Sequence, residues 1–94
     1  QVIKIQPDYT DAYINRGLIY ATLGEYEKAI VDYDQAIQLQ PDYANAYYNR
    51  GNTYKKLEDK QAAIRDYQKA AELYQSQGKT DYYQNAINQV NRLQ

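Results

Sequence analysis

Three asparagines stand at regular intervals along the chain and could bind the backbone of a peptide. Asn15 and Asn49 are 34 residues apart, and Asn85 follows Asn49 by 36 residues. A side-chain amide both donates and accepts hydrogen bonds, so it can pair with a peptide backbone without requiring a particular side chain. The simpler interpretation is a polar surface of short side chains. The asparagines form a candidate site only if the fold brings them to one surface.

Basic residues offer a second kind of contact. Lys55, Lys56 and Arg92 could hold one acidic side chain of a ligand through charge-assisted hydrogen bonds. For the two lysines, a solvated helix end that the helix dipole favours is the simpler explanation. The net charge of −1, with 24% charged residues of mixed sign, is not the strongly basic composition that is typical of proteins that bind polyanions.

The composition argues against catalysis. The chain has no His and no Cys, and its one Ser, Ser76, lies in a polar link, so no pair of nucleophile and base can be assembled. None of the carboxylates lies in the apolar pattern that a general acid needs, and no calcium-type loop is present. We therefore expect no enzymatic activity, no cofactor and no metal. No run of about 18 apolar residues is present, so we also expect no membrane span.

The elements that would position these residues are repeats. Residues 10–43 and 44–77 are identical at 13 of 34 positions. Each unit carries Tyr-x-x-Arg-Gly-x-x-Tyr followed by Ala-x-x-x-Tyr. Two helical patterns within a fixed period indicate stacked helix pairs, and hence an all-α fold. Gly17 and Gly51 fall in the middle of the first helix of each pair, where glycine costs about 1 kcal/mol against alanine. We therefore expect a neighbouring helix to approach both glycines closely.

The apolar spacing predicts helices over residues 11–23, 26–39, 45–57, 60–74 and 81–93. Pro7 should end an earlier helix, because proline cannot continue one and restricts the residue before it. Gly24 should end the next helix in a left-handed conformation. Glu58 replaces that glycine in the second unit, which predicts a looser or differently built turn, and residues 76–79 predict a longer link.

These residues resemble the tetratricopeptide repeat, whose pattern is aromatic-x-x-Leu-Gly-x-x-Tyr, then Ala-x-x-x-Phe, then Ala and Pro, at the same period. The first unit matches at Tyr13, Gly17, Tyr20, Gly24, Tyr26, Ala29, Tyr33, Ala36 and Pro41, and the second at Tyr47, Gly51, Tyr54, Ala63, Tyr67 and Ala70. The second unit departs at Glu58, Lys60 and Gln75. Arg16 and Arg50 replace the leucine, and we expect their stems to pack while the guanidinium groups reach outward.

The resemblance implies an α-solenoid of antiparallel helix hairpins in four parts. Residues 1–9 would be the end of the second helix of a truncated preceding repeat, which makes the chain a piece of a longer array. Residues 10–43 and 44–77 would be repeats, and residues 78–94 a linker and a C-terminal capping helix. The family also implies a concave groove, lined by the first helix of each repeat, that binds a peptide or helix of a partner protein.

The helical period places ten candidate peptide-binding residues on that surface: Ile14, Asn15, Leu18, Tyr48, Asn49, Asn52, Lys55, Asn85, Asn88 and Arg92. Ile14, Leu18 and Tyr48 would be its apolar anchors. Some relatives clamp the acidic tails of heat-shock chaperones between basic residues. Here Asn49 and Arg50 match the middle of that pattern, but Ile14, Leu18, Asp81 and Asn85 depart from it, which argues against such a ligand.

Two alternatives remain open at this point. The apolar side chains of Val2, Ile3 and Ile5 could form a surface for self-association, which would give a homo-oligomer. Helical repeats can also read RNA one base at a time with short polar side chains. The balanced charge makes nucleic acid the weaker alternative, because phosphate neutralisation dominates such binding.

Overall fold

Five α-helices make up nearly all of residues 2–94, the part of the chain that the computed structural model describes, with side chains described from Tyr9 onward. They are α1 (Val2–Thr22), α2 (Tyr26–Leu39), α3 (Ala44–Lys56), α4 (Lys60–Ser76) and α5 (Thr80–Leu93). Residues 2–94 contain no strand, which confirms the all-α fold. Short turns of three or four residues make consecutive helices antiparallel neighbours. Within the same range, no helix is both long enough and apolar enough to cross a membrane.

Two tyrosines at the same repeat position fill the core. Tyr33 of α2 and Tyr67 of α4 are completely buried, and small residues of the second helices surround them: Ala29, Ala36, Ala63 and Ala70. The α2 helix packs against α1 within its own unit and also against α3 of the next unit. The α4 helix packs in the same way between α3 and α5. The two helix pairs and α5 therefore form one continuous stack.

The two mid-helix glycines make room for these tyrosines, as the sequence predicts. A Cβ atom on Gly17 would lie 2.7 Å from Cε1 of Tyr33. A Cβ atom on Gly51 would lie 3.1 Å from Cδ1 of Tyr67. Each ring thus rests directly on the backbone of the paired helix.

Buried tyrosine hydroxyls of α2 and α4 find hydrogen-bond partners in α3, which lies between these two helices. The Tyr33 hydroxyl is hydrogen-bonded with Thr53 of α3, and the Tyr67 and Tyr74 hydroxyls donate to Asn52 and Asn45. Among the residues whose side chains are described, no buried side-chain nitrogen or oxygen lacks a partner. Tyrosine can therefore supply the aromatic bulk of the core in a chain that has no Phe or Trp.

Burial of these phenols predicts unfolding in alkali. Burial raises the pKa of Tyr33 and of Tyr74 from 10.0 to about 12, and it also raises the pKa of Tyr67. Above the ordinary pKa, the unfolded chain loses phenolic protons that the folded chain keeps, so stability falls as the pH rises. We expect the urea midpoint to be flat from neutral pH to about pH 9 and to fall steeply between about pH 10 and pH 12.

Two variants check the origin of this pH dependence. Tyr33→Phe removes one buried phenol and should make the decline shallower, whereas Tyr9→Phe, at an exposed position, should leave it unchanged. Urea unfolding of both variants, followed by circular dichroism across that pH range, measures the effect. An equal change in the two variants would show that burial is not the cause.

The three turns that follow α1, α3 and α4 have the same geometry. Gly24, Glu58 and Gly78 all have positive φ angles, of 82°, 63° and 74°. The amide after each one donates to the carbonyl five residues earlier, as from Asp59 to Tyr54. The prediction of a looser turn at Glu58 is therefore wrong, because the helix packing imposes the left-handed conformation on a residue that does not favour it. The Asp59 side chain then caps α4 by accepting from the amide of Ala62.

Glu58→Gly should raise the free energy of unfolding by about 0.5–1 kcal/mol, because glycine adopts this φ without steric cost. Glu58→Ala is the matched control, since it removes the charge and keeps the Cβ atom, and it should not stabilise the protein. Urea unfolding measures both effects. Equal stabilisation by the two variants would assign the effect to charge and not to the backbone.

Two further predictions about helix ends are wrong. α1 is continuous through Pro7, where a break was expected. Proline removes only one backbone hydrogen bond, and here the loss falls near the end of a long helix, where it interrupts little. Residues 76–79 do not form a longer link, because α4 extends to Ser76 and the turn at Gly78 is short. The side chains of Val2, Ile3 and Ile5 lie outside the described part, so self-association through them stays a prediction.

Candidate peptide-binding groove

A depression of about 360 Å³ lies between α1 and α3 and brings two of the candidate residues together. Leu18 and Asn52 line it, with Thr53 and Lys56 of α3 beside them and with Ala21, Thr22 and Tyr26 at its other side. Leu18 is 42% exposed and so leaves an apolar contact open to a ligand at this depression. This depression is the part of the predicted groove that the geometry defines best.

The three regularly spaced asparagines remain available on the surface. Asn15 and Asn85 are exposed and Asn49 is half-buried. Within residues 9–94, none of their side-chain amides forms a hydrogen bond with another residue. Each lies three residues before another candidate residue on the same helix face: Asn15 before Leu18, Asn49 before Asn52, and Asn85 before Asn88. We call Asn15, Asn49 and Asn85 the asparagine ladder.

Neighbouring amides already have partners in the fold. Asn52 accepts from the Tyr67 hydroxyl, and Asn45 accepts from the Tyr74 hydroxyl. Asn88 accepts from the amide of Gln84 at 3.2 Å. These three side chains therefore stabilise the helix stack or the surface of α5, although Asn52 still lines the depression. The sequence gives no sign of this difference between the two groups of asparagines.

Of the three predicted apolar anchors, one lies in the core and one is half-buried. Ile14 is only 6% exposed and packs with Tyr33 and Ala46, so its predicted place on the surface is wrong. α3 covers it, and a helical wheel of α1 alone cannot show that contact. The Tyr48 ring is half-buried and meets the rings of Tyr67 and Tyr74 edge-on, at centroid distances of 5.3 and 6.4 Å. Leu18 is the anchor that remains exposed.

The basic residues that could contact a ligand lie in three different surroundings. Lys55 donates to Oε1 of Gln89 at 3.0 Å and so connects α3 to α5. Arg92 is exposed near the end of α5. Lys56, which the sequence placed on the same surface, lines the depression next to Asn52. A carboxylate on a ligand would therefore meet Lys56 before it met the other two.

An ion-pair network that the sequence analysis missed holds the helix pairs together. Arg16 donates from Nε and Nη2 to the two carboxylate oxygens of Asp32, each at 2.8 Å. Arg50 binds Asp66 in the same way, at 2.8 and 2.9 Å. Arg50 also donates from Nη1 to Asp34 of the preceding unit at 2.7 Å. The sequence did contain a sign of these ion pairs, since Arg16 and Asp32 recur 34 residues later as Arg50 and Asp66.

This network corrects the expectation that the guanidinium group of Arg50 reaches outward, because that group is largely covered and holds the buried Asp66. The Arg16 side chain also holds a buried carboxylate, that of Asp32, but it remains mostly exposed, as expected. The hydrogen bonds with Asp66 raise the pKa of Arg50 further above its ordinary value. Because its donors are already used, Arg50 is not available to bind a carboxylate in the groove.

Three family models together match residues 1–79 of the chain. A model described as TPR repeat matches residues 19–58, and two models described as Tetratricopeptide repeat match residues 44–79 and 1–31. The chain belongs to the tetratricopeptide-repeat family. As a tetratricopeptide-repeat (TPR) chain, it is a protein-interaction scaffold. A search of curated proteins gives no match.

Solved TPR structures share this fold. A tetratricopeptide repeat domain protein from Salinibacter ruber is 16% identical with a TM-score of 0.83, and the match covers 90% of this chain and 86% of that one. The N-terminal domain of stress-induced protein-1 from C. elegans is 24% identical with a TM-score of 0.73, covering 94% and 76%. The second TPR of Spaghetti, solved with an HSP90 peptide, is 20% identical with a TM-score of 0.66, covering 97% and 99%.

Proposed function

We propose that this TPR chain binds an extended or helical segment of a partner protein along α1, α3 and α5. The asparagine ladder would hold the backbone of the segment through paired amide hydrogen bonds. Leu18 would supply the apolar anchor, and Lys56 would pair with one acidic side chain. In this proposal the chain is a non-catalytic scaffold whose ligand is a peptide segment.

The single observation that supports this proposal most is the difference between the two groups of asparagines. Asn45, Asn52 and Asn88 accept hydrogen bonds from other side chains, whereas the three ladder amides have no such partner in the described part of the chain. A surface amide without a partner in the fold is free to bind a ligand. The three lie on successive helices α1, α3 and α5, at one repeat position once the two-residue insertion before Asn85 is allowed for, which is the arrangement expected for contacts with a segment that runs across the stack.

The chemistry of the groove favours a ligand with few charges. A doubly acidic tail needs several charge-assisted donors at fixed positions. Here Arg50 is held by Asp34 and Asp66, and Leu18 and Asn85 occupy places where the clamp of some relatives has polar or basic residues. The HSP90 peptide in the Spaghetti structure supports only the point that this fold can hold a peptide. We therefore propose a largely neutral segment with one acidic residue.

Selection from a random-peptide display library on the immobilised chain tests this function. Selected peptides should bind the wild-type chain, and the triple variant Asn15→Ala, Asn49→Ala, Asn85→Ala should bind them about 100-fold more weakly, given about 1 kcal/mol for the hydrogen bond of each amide. Isothermal titration calorimetry gives the dissociation constants. The urea midpoint of the triple variant should be unchanged, because the ladder amides support no other residue.

The control is a variant with the same chemical change at another exposed amide. Gln38→Ala lies on the exposed surface of α2, outside the three helices of the proposed groove, and should bind the selected peptides normally. Leu18→Ala should weaken binding, because it removes the apolar anchor. Failure to select any peptide, or selected peptides that bind the triple variant as tightly as the wild type, would contradict the proposal.

A further inference from the structure

We propose that an outer face of α1 binds a second kind of partner, an amphipathic helix that carries a carboxylate. The face consists of Tyr9, Ala12, Arg16 and Ile19, and we call it the open face. These residues are three or four positions apart and so form one stripe along the helix. The stripe borders the asparagine ladder at Asn15, which lies three residues after Ala12 and four before Ile19, but the inference does not depend on the peptide-binding proposal.

The second unit shows what such a stripe binds. The positions 34 residues further on are Tyr43, Ala46, Arg50 and Thr53, and α2 covers them. Ala46 is part of the core that surrounds Tyr33. Arg50 donates to Asp34, and Thr53 is hydrogen-bonded with Tyr33. The contact between α2 and α3 is therefore an internal template for the open face.

The exposed fractions of equivalent side chains in the two units show that the open face lacks a covering helix. The Arg50 side chain is 21% exposed, whereas the Arg16 side chain, of the same type at the same repeat position, is 59% exposed. Thr53 is 2% exposed, whereas Ile19 is 59% exposed. In the part of the chain that is described, no helix lies on the open face in the way that α2 lies on α3.

The hydrogen bonds of the two arginines define the charge of the partner. Both arginines use Nε and Nη2 to hold the aspartate of their own unit. Arg50 uses the remaining Nη1 for Asp34, whereas Nη1 of Arg16 has no partner among residues 9–94. A guanidinium group that is already fixed in orientation binds a second carboxylate at little further cost in side-chain entropy. The partner helix therefore carries Asp or Glu opposite Arg16.

The residue next to that carboxylate is apolar. In the template, Tyr33 directly precedes Asp34, and the Tyr33 hydroxyl is hydrogen-bonded with Thr53. Ile19 stands at the position of Thr53 and offers no hydrogen bond, so a buried hydroxyl there would be unsatisfied. The partner that fits has small residues along one face and Phe or Leu followed immediately by Asp or Glu.

A second copy of this chain does not supply such a helix. Its α2 is already covered by α3, and α4 is covered by α5. The exposed surface of α5 carries amides, among them Gln84, Asn85 and Asn88. Its one carboxylate, Asp81, lies in the first turn and precedes the exposed ring of Tyr82, so α5 has no apolar residue followed immediately by an acidic one. The open face thus fits the second helix of another helix pair of the same type and does not fit either end of the described part of a second copy.

A synthetic peptide of residues 24–40 with Tyr33→Phe, stapled between the exposed positions Val31 and Gln35, tests the inference on the intact chain. We expect saturable binding by isothermal titration calorimetry. The same peptide with Asp34→Asn should bind about tenfold more weakly, because a hydrogen bond between charged groups is lost. This change leaves Arg16 untouched, and so it does not disturb the pair with Asp32.

Variants of the chain locate the binding site. Ile19→Glu, at an exposed position, should abolish peptide binding with little change in the urea midpoint, whereas the double variant Asn49→Ala, Asn85→Ala, which leaves α1 unchanged, should bind normally. The inference is overturned if the stapled peptide does not bind, if the Asp34→Asn peptide binds equally well, or if the double asparagine variant loses binding while Ile19→Glu keeps it. The last of these outcomes would place the helix in the groove, so the two proposals fail separately.

Discussion

Arg50→Ala should lower the free energy of unfolding by about 3 kcal/mol, because it leaves the buried carboxylate of Asp66 without its counter-charge. The loss combines two hydrogen bonds to Asp66 with one to Asp34 of the preceding unit. Arg50 is therefore the side chain that joins the two repeats by charge. Urea unfolding followed by circular dichroism measures the effect.

Arg65→Ala is the matched control, since Arg65 is exposed and has no ion pair in the described part of the chain. It should change stability little. A variant that replaces the pair together, Arg50→Met with Asp66→Leu, should recover part of the loss, because an apolar pair avoids the buried charge. Equal stability of Arg50→Ala and Arg65→Ala would show that the network does not stabilise the stack.

Gly17→Ala should lower the free energy of unfolding by about 1–3 kcal/mol, although alanine is the better helix former. The added Cβ atom would lie 2.7 Å from the Tyr33 ring, which is fully buried and cannot move away. At Gly51 the corresponding distance is 3.1 Å, so Gly51→Ala should cost less. Thermal or urea unfolding of the two variants provides the comparison.

A double-mutant cycle tests the cause of this effect. Tyr33→Leu removes the ring atoms that the new methyl group would meet, so Gly17→Ala should be less harmful in that background than in the wild type. The difference is the interaction free energy between the two positions. Stabilisation by Gly17→Ala in the wild-type chain would mean that close packing is not the reason for the glycine.

The sequence predicted the repeat architecture because spacing alone encodes it. Gly17 and Gly51, with Tyr33 and Tyr67, recur at one period, and a glycine in mid-helix has few explanations other than close packing. The conformation of Glu58 could not be predicted, because the stack determines that turn and the local residue preference opposes it. For Pro7, the local rule predicted a break that the structure does not have.

The candidate site was harder to predict than the fold. A helical wheel shows which residues share a face, but it does not show which neighbour covers that face. Ile14 and Leu18 look equivalent in the sequence, yet α3 buries the first and leaves the second exposed. The pairing of Asn52 with Tyr67 likewise depends on the distance between two helices. The burial of Ile14 and the pairing of Asn52 both depend on contacts between helices, and these contacts form only when the helices stack.

The exposed fractions of side chains at equivalent repeat positions revealed the open face, which neither the motifs nor the composition indicated. Arg16 and Arg50 have the same type and the same hydrogen bonds within their units, and they differ only in the helix beside them. Comparing the two arginines distinguishes the hydrogen bonds that a residue makes within its own unit from those that it makes with a neighbouring unit. Through this comparison, the open face is distinguished from the groove on the same helix.

The central claim is that the asparagine ladder binds the backbone of a partner segment. The most direct measurement is a nuclear magnetic resonance titration of the isotope-labelled chain with a peptide from the display selection, following the side-chain amide signals of asparagine. We predict that the signals of Asn15, Asn49 and Asn85 shift together, while those of Asn45 and Asn52, which are engaged with tyrosines, shift less. Unchanged ladder signals at saturation with a peptide that binds would contradict the account.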